Sequence, residues 1–356
     1  MICAFALVAI GVVGIYSAGY ATDVNSDEYI KQMIFFGIGL LLLTAIYLIP
    51  NYIFEVGGYI IYFISLILLV LVLFTSKIMG ASSWFNLGGF LYQPSELMKV
   101  GYILVFSKLL ISFKNVTNNK VKKIILGILL ASSFFIPVGL IMLQPDFGTA
   151  AVFLFITFFI LFKSGLKYRY VLIAIGLILV MIPIMYFFIL NDTQQARIDV
   201  FLNPSLDPLG SGYNAIQSQL AVGSGMAFGT GFLQGVQTQL GFIPIKTSDF
   251  IYSVLSEEFG FVMSLIIIVL FVVLIIRIML VSKYAENDYL SLVVIGIAGM
   301  IFFHFIQNIG MTIGFMPITG VPLPFVSYGG SNLITNMISL GIVLNVCSRK
   351  PKNILF

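Results

Sequence analysis

The sequence has 356 residues, 60% of them hydrophobic and 9% charged, with a formal net charge of +4. A soluble domain carries roughly 25% charge, so the composition excludes a water-solvated globule and points to a chain that folds in a lipid bilayer. The positive charge sits in short stretches between apolar runs, which reads as an orientation signal and gives no reason to expect a nucleic-acid partner.

Apolar runs bounded by polar turns predict an all-α chain of about ten membrane-spanning helices forming one domain over 1–356. Helices of about 20 apolar residues cross a hydrocarbon core roughly 30 Å thick while satisfying their own backbone. The first run, 1–20, closes on Tyr16-Ser17-Ala18-Gly19, a sequence that could pass for a signal-peptide cleavage region. Here it is read as a retained helix. Runs at 30–49, 57–76, 95–113, 123–143, 146–163 and 168–190 follow, and after a long break 250–282, 290–314 and 327–348 complete the set. Cys3 and Cys347 fall in or beside the first and last runs, with no Cys-x-x-Cys or Cys/His cluster, so neither a disulfide framework nor a zinc site is expected.

Lys114, Lys120, Lys122 and Lys123 lie between the fourth and fifth runs, and Lys163, Lys167 and Arg169 between the sixth and seventh. Arg277 and Lys283 lie between the eighth and ninth, and Arg349, Lys350 and Lys352 follow the last. The positive-inside rule makes these connections, and both termini, cytoplasmic. The opposite connections then face outward: Asp23, Asp27 and Glu28 in the first, Trp84 to Gln93 in the second, and a loop over 191–249 between helices seven and eight. A loop of that length is usually functional. Its apolar stretch from Ala215 to Phe242 is expected to lie against the membrane surface or dip into it, covered by protein or water.

Polar or Gly/Pro motifs stand where even-numbered helices begin: Gln93-Pro94-Ser95-Glu96, Gln144-Pro145-Asp146, Thr247-Ser248-Asp249, and Pro322 to Asn332. Taken singly, each is explained by helix capping and the helix dipole, and Asp249 alone reads as an N-cap. Their convergence on one side of the protein is harder to dismiss. Glu96 and Lys99, three residues apart, share a helix face and can pair, either as a structural bridge or as the wall of a polar cavity. Glu257 and Glu258 lie about two turns into the eighth run, where Glu258 needs a buried partner. His304, the single histidine, reads as a hydrogen-bonded core residue. With no Gly-x-x-x-x-Gly-Lys-Ser/Thr loop, ATP-driven work is unsupported, and chemistry outside the membrane must use an already activated substrate.

At these motifs the chain resembles the SEDS family (shape, elongation, division and sporulation). The resemblance runs from Gly11–Ser17 through Trp84, Gln93–Lys99 and Gln144–Thr149 to Asn203-Pro204, Asp207-Pro208, Gly212-Tyr213, Gln217-Ser218, Ala221–Gly225 and Gln237–Pro244. It continues through Asp249-Phe250, Glu257–Gly260 and Met316–Ser331, and Pro322-Leu323-Pro324 looks more like the elongation branch than the division branch. It implies a glycosyltransferase of the bacterial cytoplasmic membrane that polymerises lipid II at the outer face, with undecaprenyl pyrophosphate leaving and a class B penicillin-binding protein supplying the crosslinks. Asp249 matches the family's catalytic aspartate, and Glu96 and Lys99 match an ion pair beside the central cavity. One departure matters: where the family has Pro-Glu-x-His-Thr-Asp, this chain has Pro244-Ile245-Lys246-Thr247-Ser248-Asp249, so no role for that Glu or His carries over. Asp249 is expected to act either as a base or as a ligand to Mg²⁺ or Mn²⁺ shared with the pyrophosphate. Arg197 and Lys246 are candidates for contacts with pyrophosphate or with lipid headgroups. A lipid II flippase and a non-enzymatic scaffold remain the rival functions.

Overall fold

The computed structural model describes residues 1–20, 27–76, 82–88, 90–165, 169, 195, 199–207 and 210–349. The described residues include nine helices of 17 residues or more. They are α1 (Ile2–Tyr20), α2 (Glu28–Leu48), α3 (Asn51–Val72), α4 (Pro94–Asn115), α5 (Lys120–Leu143), α6 (Phe147–Lys163), α9 (Ile251–Lys283), α10 (Asp288–Thr312) and α11 (Gly330–Ser348). Two short helices, α7 (Ser211–Ser224) and α8 (Val236–Gln239), belong to the long loop. The run expected at 168–190, apart from Arg169, lies outside the described residues.

Seven of the nine are long and apolar enough to cross a membrane. Of the other two, α6 is short, and α4 carries Glu96, Lys99, Lys108 and Lys114. Helix boundaries follow the hydropathy pattern closely, except that α3 starts at Asn51 and not near 57. The reason is Glu55, whose charge breaks the apolar pattern but is paired with Lys108 of α4 at 2.5 Å.

Burial sorts the helices into an inner and an outer set. In α10, 83% of the apolar stretch is buried against protein, whereas α2 and α5 bury 17% of theirs. The inner set of α10, α11 and α4 can therefore carry polar groups, while outer helices expose residues such as Leu41, Ile60 and Ile128 that suit lipid. Close approach in the interior needs small residues. A Cβ at Gly101 of α4 would lie 2.9 Å from the backbone nitrogen of Tyr62 in α3.

Backbone groups freed inside the bundle find partners, as a medium without water requires. Pro137 within α5 leaves the Ser133 carbonyl without its helical donor, and the Tyr62 hydroxyl donates to it at 3.0 Å. Where α2 stops before Pro50, the Asn345 amide donates to the carbonyls of Ile46, Tyr47 and Ile49 at 2.6–3.0 Å. Inside α9 the helix is broken at Gly260, which takes φ 74°. The loop after α7 fills this break. Thr230 N and Gly231 N donate to the Glu257 and Glu258 carbonyls, and Phe261 N and Val262 N donate back to Met226 O and Ala227 O.

The all-α expectation needs one addition, an antiparallel hairpin of β1 (Phe85–Leu87) and β2 (Phe90–Tyr92), in register Phe85 with Tyr92. Its Phe90 packs at a tilt against Phe35 of α2, and the two rings leave no room for a Cβ at Gly330. Within the apolar part of the long loop, α7 packs on protein through Ser218 and Ala221, while Met226, Phe228 and Leu240 stay exposed. Ser218 of α7 shares a hydrogen bond of 2.7 Å with Ser253 of α9 and donates to the Thr312 carbonyl of α10 at 2.9 Å.

Candidate active site

The beginnings of α4, α6, α9 and α11 meet at one end of the bundle. Gln93, before α4, donates through Nε2 to Asp146 Oδ2 before α6 at 3.1 Å, and through its backbone N–H to Ser331 Oγ of α11 at 3.3 Å. The segment before α11 holds the segment before α9: Ser327 Oγ donates to Ser248 O at 2.6 Å, and Tyr328 N to Thr247 O at 2.9 Å. Gln32 of α2 ties down the same turn by donating to Ser327 O at 3.0 Å and accepting from Gly329 N at 3.3 Å. Four helix N-termini therefore point their positive dipole ends toward one region.

Asp249 lies in that region. It is not an N-cap: Phe250 holds the cap position of α9, and no side chain caps that helix. The Asp249 carboxyl instead accepts from Ser248 Oγ at 2.7 Å, with Oδ2 turned toward Gly320. Asn308 of α10 fixes its backbone, donating to Asp249 O at 2.9 Å and to Val321 O at 2.8 Å. Part of the side chain is open, yet protein encloses most of the space around it. Burial raises its pKa above the ordinary carboxylate value, the charge of Asp146 adds to the rise, and the Ser248 hydrogen bond opposes it.

Asp146, a cap by sequence, is a cap in the structure. It accepts from Thr149 N at 3.0 Å and from Thr149 Oγ1 at 2.8 Å. It also stands among the charged groups of the site: burial raises its pKa, the Thr149 bonds and Lys99 lower it, and Glu96 raises it again. Glu96 and Lys99 form an ion pair of 2.8 Å on the buried face of α4. Lys99 Nζ also donates to His304 Nε2 at 3.0 Å, and Glu96 Oε2 accepts from Asn332 Nδ2 at 3.3 Å. A carbonyl can only accept, so the 3.2 Å contact between His304 Nδ1 and Pro322 O places the imidazole proton on Nδ1.

Lys246 is buried and donates to Thr238 O at 2.9 Å, so here it braces the loop. Burial lowers its pKa and the nearby Glu258 charge opposes the fall. Arg197 lies outside the described residues. Glu257 accepts from Gln237 N, Thr238 N and Thr238 Oγ1 at 2.7–3.0 Å, and thereby holds α8. The buried partners of Glu258 are Ser17 Oγ at 2.5 Å and Gln239 Nε2 at 3.0 Å.

Among the described residues, no group of three or more His, Cys, Asp or Glu side chains is arranged to hold a metal ion. Both oxygens of Asp146 are engaged, which leaves Asp249 Oδ2 as the available donor. That donor set fits a divalent cation held by one carboxylate together with substrate phosphates, and does not fit an all-protein cage. Ser327 and Asn332 fall within the Pro322 to Asn332 motif, whereas Gln32 and Asn308 are site residues that sequence reasoning missed.

Comparison with known proteins agrees with this architecture. Residues 1–352 match the family model for FtsW, RodA and SpoVE, described as cell cycle proteins. The peptidoglycan glycosyltransferase MrdB of Escherichia coli K12 is 38% identical over 310 residues, covering 87% of this chain and 82% of that protein. The peptidoglycan glycosyltransferase RodA of Treponema pallidum is 31% identical, covering 97% and 96%. Among solved structures, a peptidoglycan synthase complex that coordinates polymerization and crosslinking contains a chain with a TM-score of 0.82 at 31% identity, covering 99% of this chain and 97% of that one. The rod shape determining protein RodA of Thermus thermophilus gives a TM-score of 0.69 at 29% identity, covering 99% and 96%. With the family model matched over nearly its whole length, the chain belongs to the FtsW/RodA/SpoVE family of membrane-embedded cell cycle proteins.

Proposed function

We propose that the chain is an elongation-type peptidoglycan glycosyltransferase that polymerises lipid II at the outer face of the cytoplasmic membrane, with Asp249 as its catalytic residue. The observation that carries this reading is the Asp249 carboxyl: its backbone is braced by Asn308, only Ser248 among the described residues hydrogen-bonds its side chain, and it sits where four helix N-termini converge. Burial raises its pKa, which makes it a better base than a solvated aspartate. The 4-hydroxyl of the acceptor sugar gives its proton to Asp249 as its oxygen attacks the anomeric carbon of the donor. The bond from that carbon to the pyrophosphate breaks, and its electron pair leaves with undecaprenyl pyrophosphate. The helix dipoles and the Lys99 charge favour the anion that forms. In the alternative role, Asp249 Oδ2 would instead hold a Mg²⁺ or Mn²⁺ ion shared with the pyrophosphate and would neutralise its charge.

The positive charge of the connections supports cytoplasmic termini and an outward-facing site. A class B penicillin-binding protein is the proposed partner, since crosslinking requires a second enzyme. A flippase would need a polar path through the bundle, but the polar residues farther down α11 serve the fold: Ser339 donates to Thr335 O, and Asn345 to the end of α2. Purified protein in detergent, where transport has no meaning, should convert lipid II into glycan strands and gain activity from its transpeptidase. Absence of strands with every transpeptidase of its host would overturn the reading.

A further inference from the structure

The single histidine of the chain lies in the membrane-embedded interior and does more than fill space. His304 is 3% exposed and hydrogen-bonded at both ring nitrogens, to two different elements. On one side Nε2 accepts from Lys99 Nζ of α4 at 3.0 Å. On the other, Nδ1 donates to the Pro322 carbonyl at 3.2 Å. One helical turn further along α10, Asn308 donates to the neighbouring carbonyl, Val321 O, and also to Asp249 O. Residues four apart on one helix face thus grip two consecutive carbonyls of the 321–322 segment. Through them the same helix holds the Lys99 ammonium on one side and the backbone carbonyl of Asp249 on the other.

A lysine side chain has four rotatable bonds and three equivalent donors, so an ion pair with Glu96 alone would leave Nζ free to pivot about the carboxylate. A second acceptor on a buried, doubly anchored ring removes that freedom. Lys99 is 1% exposed, so it acts on the site through its field and not by contact, and a field depends on where its source is fixed. Lys99 lowers the pKa of Asp146, so its field reaches that carboxyl beside Asp249.

We propose that His304 is a positioning residue for glycan polymerisation: as the Nδ1–H tautomer it clamps the Lys99 ammonium and registers it against the 321–322 segment that α10 also ties to Asp249. This rests on the polymerase reading, so the test has one arm that needs no activity. Because the chain contains one histidine, ¹⁵N-histidine labelling in lipid nanodiscs gives a single imidazole spin system. The expected spectrum shows a protonated Nδ1 and a bare, hydrogen-bonded Nε2, and Lys99→Met should shift the Nε2 resonance. An Nε2–H tautomer, or an Nε2 signal indifferent to Lys99→Met, overturns the proposal even if the protein has no measurable activity.

The second arm separates the two bonds. His304→Gln can still accept from Lys99 but gives up Pro322, whereas His304→Asn can still donate to Pro322 but gives up Lys99. If His304 positions Lys99, His304→Asn should lower kcat by about tenfold to a hundredfold with KM within about threefold, the scale of a misplaced electrostatic group. His304→Gln should remain within about threefold of the parent. A purely structural anchor for the 321–322 segment predicts the reverse order, and that result would refute the proposal. Should His304→Asn fail to fold, the tautomer measurement on the unaltered chain decides alone. Lipid II left unpolymerised by the unaltered chain would count against the polymerase reading and not against the clamp.

Discussion

Asparagine at position 249 keeps the size of the aspartate and the oxygen that accepts from Ser248, but loses charge and basicity. Asp249→Asn is therefore expected to fold and to lower lipid II polymerisation about a hundredfold or more, measured as glycan strands from purified protein. The raised pKa of Asp249 fixes the signs of two pH effects. Activity that needs the carboxylate should rise with pH, with a midpoint above the ordinary value of about 4. Stability runs the other way: the buried group favours its protonated form, so its contribution is fully present below the unfolded pKa and is lost as pH rises through the folded one. The Asn variant, with no charge to bury, should then melt no lower than the parent at neutral pH, and a lower melting temperature would show that Asp249 supports the fold. A different signature is expected at the buried Glu96–Lys99 pair. Lys99→Met strands the Glu96 carboxylate at a cost of about 3–5 kcal/mol, and Glu96→Gln added to it should recover much of the loss in thermal unfolding. A double variant no better than the single would mean the two groups do not interact directly. Glu96 and Lys99 were legible in sequence because a helix puts residues three apart on one face. Asn308 and Gln32 were not, since their partners lie 59 and 295 residues away and only the packed bundle brings them together.

The long apolar runs were legible as helices because twenty apolar residues have one stable conformation in lipid, and α4 was recovered despite its charges because 95–113 is still a largely apolar run bounded by polar turns. The break in α9 was not legible. Gly260 sits in a run read as one helix despite Glu257 and Glu258, where a lone glycine is compatible with a helix, and the loop that fills the break lies 27 to 35 residues upstream of the groups it bonds. The hairpin before α4 was missed for a related reason, since three-residue strands carry too little alternation to be seen. Packing at the break is unforgiving. A Cβ at Gly229 would lie 2.1 Å from Glu258 O, and one at Gly225 would lie 1.9 Å from Ser256 O, both rigid backbone atoms. Gly229 also takes φ 84°, which a side chain disfavours. Gly229→Ala and Gly225→Ala should each reduce folded yield and thermal stability in detergent, and should impair polymerisation by loosening the loop that holds α8 and Lys246. Gly223→Ala, two residues from Gly225 but inside α7 and facing open space, is the control and should leave stability unchanged or raise it by up to about 1 kcal/mol. Equal behaviour of all three variants would show that the loop does not seal the broken helix.

At the scale of the whole molecule, the inner helices gather polar groups and the outer ones meet lipid, so the bundle fixes where chemistry can occur but not which side of the membrane that is. Orientation rests on charge. Lys114, Lys120, Lys122 and Lys123 flank the α4–α5 connection, which lies at the end of α4 away from Gln93 and the site. Positive connections favour the cytoplasm, so the opposite end, with Asp249 and the long loop, is predicted to face out, where lipid-linked sugars could be joined without ATP. The two ends can be distinguished directly. With Cys3 and Cys347 replaced, Ser205→Cys samples the long loop and Asn118→Cys the α4–α5 connection, and both positions are exposed. A membrane-impermeant maleimide added to intact cells should label Ser205→Cys and spare Asn118→Cys, which should react once the membrane is opened. Because α4 joins the two ends, its charged connection and its Gln93 end must lie on opposite sides if it spans the bilayer. Labelling of Asn118→Cys alone in intact cells would turn the carboxyl cluster toward the cytoplasm. The proposed outer-face polymerisation would then be untenable, although the fold, the ion pair and the family membership would stand.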